Sequence, residues 1–146
     1  PAAAGDDYKR KLGEFGDRLT VIAGTTPEQV VALSRRADVL VHPRLACKEN
    51  YSVQSKLAVY LAAGRPVVAT DFGDYKTLLG ETGAGVLTDV APAGIADGVL
   101  KVLNDPELAA RLAAAARPVA LEHFGMARNV DRYLDVYERA VAQGPR

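Results

Sequence analysis

Residues 51–71 read YSVQSKLAVYLAAGRPVVATD, and this stretch decides the fold. Leu57, Tyr60 and Leu61 recur at helical spacing, giving a short helix one apolar stripe. Ala58, Ala62 and Ala63 are small enough to let that helix lie close against what it covers. Gly64 suits the left-handed turn that ends a helix, and Pro66 forbids continuation. The following run, Arg65 to Asp71, is apolar and β-branched at its centre and predicts a buried strand. Only the front of the stretch is polar: Ser52, Ser55 and Lys56 stand where the helix begins.

The same alternation extends outward on both sides. LTVIAG (Leu19 to Gly24) is an apolar run with a glycine stop and is expected to be a strand. A short helix ending near Phe15 and closed by Gly16 is expected before it. After it, Thr26 caps a helix with Pro27 at its first position, Glu28 and Gln29 in its first turn, and Arg35 and Arg36 in its last. DVLVHP (Asp38 to Pro43) is a further strand, and GAGVLTD (Gly83 to Asp89) a shorter one. PAGIADGVLKVLND predicts a helix that Gly94 and Gly98 weaken. Asp105 caps the helix starting PELAARLAAAAR, which Pro118 should kink or interrupt. Val130, Leu134, Tyr137 and Val141 form the stripe of a last helix over residues 126–143. Strands alternating with amphipathic helices imply an α/β fold, a Rossmann-like parallel sheet with helices on both faces.

The chain has 146 residues, the size of one domain, with 18 basic and 18 acidic side chains. That balance gives no global reason to expect nucleic acid or an anionic membrane as partner. The single cysteine, Cys47, excludes an internal disulfide and fits a reducing compartment. No stretch approaches the roughly eighteen apolar residues of a membrane span. A cytoplasmic setting is the expectation, with peripheral membrane contact left open.

In such sheets ligands bind beyond the carboxyl ends of the strands. The loop after DVLVHP is the richest candidate. Residues 42–65 hold Arg44, Lys48, Lys56 and Arg65 against Glu49 alone, leaving fourteen basic and seventeen acidic residues elsewhere. A helix starting near Ser52–Ser55 also has backbone N–H groups with no intrahelical acceptor, and these with the helix dipole make an anion site. Equally, Ser52 reads as a plain cap and Lys56 as a solvated lysine. His42 reads more readily as structural than as a phosphate contact, and His123 as a plain helix residue. Asp71, Asp74 and Tyr75 could meet a sugar or merely form a turn. Cys47 has no histidine-and-acid arrangement nearby, no cluster has metal-ligand spacing, and GETGAG precedes a strand instead of following one.

ADVLVHP, then SVQSKLAVYLAAGRPVVATD, then GAGVLTD resembles the C-terminal, donor-binding domain of retaining, group-1 type glycosyltransferases of GT-B fold. DPELAARLAAAAR followed by an amphipathic helix is similar as well. The resemblance implies a nucleotide-diphosphate-sugar as donor substrate, no cofactor, no metal, and an acceptor that is a glycan, a lipid or a small molecule. It implies donor contacts at Tyr51, Ser52, Val53, Gln54, Ser55 and Lys56, with the diphosphate at the helix start and the base near Gly24 and Thr25. The family's pair of donor-holding glutamates falls at Tyr51 and Val59, neither of which is acidic here. An ionised carboxylate can clamp two hydroxyls, whereas valine accepts no hydrogen bond. Two functions follow: the donor half of a sugar transferase, or a non-catalytic, degenerate domain used in assembly or regulation. A receiver-like signalling domain shares the alternation but needs an acidic pocket at its early strand ends, whereas Asp6 and Asp7 here precede any expected strand. The resemblance further implies earlier strand–helix units and an N-terminal acceptor domain. The chain is therefore expected to be a fragment, or to take its missing strands from another chain or subunit, and to be inactive alone; in a sheet of the usual order 3-2-1-4-5-6 those strands fall between LTVIA and DVLVH.

Overall fold

The computed structural model describes residues 12–22, 24–44 and 55–144, save the Glu14 side chain. The chain forms two compact units, Pro1–Leu33 and Ser34–Arg146. In the first, a 3-10 helix covers Gly13–Arg18, with Gly16 leaving helical geometry at φ 52°. The helical turn before Gly16 thus ends where expected, while residues 8–11 of the expected helix lie outside the described residues. Helix α1, Pro27–Arg36, begins here and ends in the second unit. Its start is a reciprocal box, in which Thr26 N donates to Gln29 Oε1 at 2.9 Å and Gln29 N to Thr26 Oγ1 at 3.3 Å.

The second unit is built on three parallel strands in the order β1 (Leu40–His42), β2 (Val67–Thr70), β3 (Gly85–Thr88). Leu40 lies opposite Val67 and His42 opposite Ala69, while Val67 to Thr70 run opposite Gly85 to Thr88. Around them stand α2 (Ser55–Ala63), α3 (Pro92–Leu103), α4 (Pro106–Phe124) and α5 (Met126–Gln143). The three later strand expectations hold, and so does the parallel, helix-covered architecture. LTVIAG does not become a strand. Leu19 is extended at φ −119° and ψ 123°, yet none of Leu19 to Ile22 and Gly24 is in a strand, Leu19 and Ile22 are 38% and 54% exposed, and Ala23 lies outside the described residues. An apolar run becomes a strand only where a neighbour takes its N–H and C=O groups.

The core has two sides, divided by the alternation of β2. Val67 and Ala69 pack with Leu57 and Leu61 of α2, with Leu78 and Leu79, and with Ala116, Val119 and Ala120 of α4. Val68 packs on the other side with Val102 of α3 and Leu112 of α4. Leu78 and Leu79 come from a π-helical turn, Lys76–Glu81, that carries no readable period in the sequence. Pro118 does not interrupt α4. Buried residues on either side of it hold the helix to the core. The carbonyl its missing N–H would have served belongs to solvent-exposed Ala114, where water can replace the bond.

Gly94 and Gly98 do not break α3 either, and Gly98 explains why it is there. A Cβ on Gly98 would lie 2.6 Å from Thr88 Cγ2 and 3.0 Å from Val68 Cγ1, so the glycine sets how closely α3 meets the sheet. Thr88 cannot turn aside freely, because its Oγ1 donates to the Asp89 carbonyl at 3.0 Å. Gly98→Ala gains up to about 1 kcal/mol of helix propensity. Overpacking costs roughly 1–3 kcal/mol and prevails. Chemical denaturation should show this variant less stable by about 1 kcal/mol.

Candidate functional site

The carboxyl ends of β1 and β2 and the amino end of α2 come together on the α2 side of the sheet. Ser55 and Lys56 open the helix and are exposed, while Leu57 and Leu61 one turn apart are fully buried. Those two leucines fix the helix on β2 and leave Ser55 and Lys56, the first described residues of the helix, facing solvent. Val59 is half-buried on the same helix, and Ala62 is exposed instead of packing on the sheet. Gly64 ends the helix at φ 68°, in the left-handed turn read from the sequence.

His42 closes β1 and is 4% exposed. Its Nε2 lies 2.9 Å from the hydroxyl of Tyr75, which is 1% exposed. The Tyr60 ring of α2 meets the imidazole edge-on, with centroids 6.1 Å apart. Burial foremost, then Lys56 and Arg44, hold the His42 pKa below its ordinary 6.5. Burial also raises the Tyr60 phenol. Tyr75 itself sits just after the turn at Phe72–Asp74, with its N–H donating to the Phe72 carbonyl at 3.1 Å. Tyr75 is thus a core residue, while Asp71 and Asp74 beside it are exposed.

A second link joins the same two strand ends. Arg44 N donates to Thr70 Oγ1 at 2.9 Å, and Thr70 Oγ1 donates back to the Arg44 carbonyl at 3.1 Å. Thr70 has no exposed surface, and its hydroxyl is satisfied wholly by this exchange of bonds. The Arg44 guanidinium lies 4.7 Å from the Phe72 centroid and 5.9 Å from that of Tyr75.

The structure redistributes the charge that the sequence window had grouped. Arg65 follows the far end of α2, roughly 13 Å along the helix from its start. There its Nε donates to the Arg35 carbonyl at 2.8 Å. It belongs to the amino end of the sheet, where Asp38, Arg65 and Pro66 with Val102 and Ala109 line an open cavity of about 360 Å³. Of the cations named, Arg44 and Lys56 remain at the carboxyl end. Lys48, Glu49 and Cys47 lie outside the described residues, as do Tyr51, Ser52, Val53 and Gln54. Gly24, with φ 68°, and half-buried Thr25 belong to the first unit. The structure therefore brings together Ser55, Lys56, His42 and Arg44. Sequence reading missed the Tyr75 and Thr70 links. A signal existed: parallel neighbours place the residues that follow each strand side by side.

A family model described as glycosyl transferases group 1 matches residues 2–105. The chain belongs to that family. It is 34% identical over 130 residues to D-inositol 3-phosphate glycosyltransferase of Xylanimonas cellulosilytica, covering 88% of this chain and 30% of that protein. It is 27% identical over 129 residues to trehalose synthase of Pyrococcus horikoshii, covering 87% of this chain and again 30% of the relative. The fold matches sucrose-phosphate synthase from Thermosynechococcus elongatus with a TM-score of 0.82 at 21% identity, over 97% of this chain and 35% of that one. The chain thus spans under a third of the two relatives' length. Among the described residues, no helix is long and apolar enough to cross a membrane.

The lowered pKa of His42 has a testable consequence. Between that lowered value and 6.5 the unfolded chain binds more protons than the folded one, so acid favours unfolding. Above 6.5 the imidazole is neutral in both states and contributes no slope. Denaturation midpoints measured from pH 5 to 8 should therefore fall at the acid end, and less steeply in His42→Asn.

Proposed function

We propose that this chain is the donor-binding part of a glycosyltransferase that moves a sugar from a nucleotide-diphosphate-sugar to an acceptor with retention of configuration. One observation carries the reading. Helix α2 is pinned by Leu57 and Leu61 so that its amino end, with exposed Ser55 and Lys56, opens beyond the carboxyl end of the sheet. A diphosphate there would meet unpaired amides, the positive end of the helix dipole and an ammonium group. The same groups serve catalysis by stabilising charge on the departing nucleoside diphosphate, which grows as the glycosidic bond breaks. Family membership supports the reaction class, and so do the names of the two relatives, one a glycosyltransferase and one a synthase of a disaccharide.

The remaining machinery belongs to the same proposal. Further strand–helix units and an acceptor domain from the rest of the full-length protein would complete the cleft, a view favoured by the 30% span of the relatives. Gly24 and Thr25 would receive the base, and residues 51–54 the donor's sugar and phosphate. The acceptor is a glycan, a lipid or a small molecule. Its setting is cytoplasmic, at the inner membrane face if the acceptor is a lipid, which the single cysteine favours.

Val59 supports a second reading, a degenerate domain that assembles or regulates without catalysis. It stands half-buried where the resemblance implies a ribose-holding carboxylate. Losing that charged hydrogen bond costs about 1.5–3 kcal/mol. This is roughly one to two decades of affinity, which weakens donor binding without abolishing it. Calorimetry of the full-length protein with uridine and guanosine diphosphates separates the two. The donor reading predicts saturable binding of one of them, weakened about tenfold by Lys56→Ala. No binding of either favours the second reading.

A further inference from the structure

We infer that His42 is a positioning residue of the donor site, holding the Tyr75 ring, and with it the wall against which Arg44 lies, in register with the start of α2. The inference rests on the donor-site reading above and adds to it a residue that touches no donor atom. Three elements meet on this one imidazole. It ends β1, its Nε2 is 2.9 Å from the Tyr75 hydroxyl after the β2 turn, and its edge meets Tyr60 of α2 at 6.1 Å between centroids. Tyr75 in turn backs the Arg44 guanidinium at 5.9 Å, and Arg44 N and O are both bonded to Thr70. The segment that leaves β1 toward α2 therefore departs from a base braced twice.

A polar pair is a costly way to fill this volume. Apart from Tyr75, the buried members of the core on this side are leucine, valine and alanine, and two hydrocarbon rings of similar shape would need no desolvation. A hydrogen bond adds what rings alone lack, one preferred orientation of each ring. It also makes the brace sensitive to a proton. A neutral imidazole can accept the tyrosine proton at Nε2, while an imidazolium can only donate there. Among the described residues, the charged groups facing His42 are Lys56 from α2 and Arg44 just after β1. Tyr60 and Tyr75 are the titratable hydroxyls beside it. A proton on His42 would thus put a third cation beside two others and force the Tyr75 bond to reverse.

The test uses the full-length protein, uridine and guanosine diphosphates as calorimetric probes, and the pH profile of kcat/KM for the donor. His42→Phe keeps the ring and removes the bond, and is expected to weaken nucleotide binding about tenfold. His42→Gln, which can still bond the hydroxyl, should recover most of that loss. The unsubstituted protein should lose kcat/KM on acidification below the ordinary imidazole value of 6.5, and His42→Gln should flatten that limb. If His42→Phe does not fold, Tyr75→Phe deletes one buried oxygen and should reproduce the loss. Unchanged affinity in both His42→Phe and Tyr75→Phe, with an unchanged acid limb in His42→Gln, overturns the inference and leaves the donor reading standing. Failure of the unsubstituted protein to bind either nucleotide overturns both.

Discussion

Strand β2 is buried on both faces and hydrogen-bonded on both edges, and everything else in the second unit is arranged by that constraint. Val67, Val68 and Thr70 have no exposed surface and Ala69 only 1%. Each side of the strand demands an apolar cover, and each edge demands a parallel partner, because no water reaches its backbone. Helix α2 must lie along one side to hide Val67 and Ala69, and α3 along the other to hide Val68. Since β1 and β2 run the same way, α2 must return from the carboxyl end to the amino end between them. Its amino terminus is therefore delivered to the carboxyl edge of the sheet by topology, before any chemistry is considered.

What the chain adds at that edge is rigidity. Polar groups buried at the rim of a core are costly unless each finds a partner. Here they find one another across neighbouring strands: Thr70 with the Arg44 backbone, and His42 with Tyr75. These bonds tie the ends of β1 and β2 together. Lys56 stays exposed beside this braced edge, and its positive charge bears on the His42 imidazole.

Much of this was legible in the sequence where the determining forces are local. Gly64 and Pro66 mark the end of α2, Asp105 caps α4 through a 2.8 Å bond from Leu108 N, and the β-branched run Val67–Thr70 becomes the central strand. Where partners are distant, local pattern misleads. LTVIAG carries the same signal as the true strands, but pairing is a property of the neighbour as much as of the run. Arg65 was near Lys56 in sequence and is at the other end of a helix in space. Pro118 obeys its breaking tendency only where packing does not oppose it, and four buried residues of α4 do. Tyr75 read as a turn residue because nothing within its own segment announces His42, thirty-three positions away.

The account stands on an anion seated at the start of α2. Amide chemical-shift mapping of the full-length protein during titration with a nucleoside diphosphate tests this most directly, since it locates the ligand residue by residue. The largest shifts should fall on the N–H groups of Ser55, Lys56 and Leu57, with smaller ones at His42 and Arg44. Shifts gathered instead around the cavity at the amino end of the sheet, at Val102 and Ala109, would contradict it.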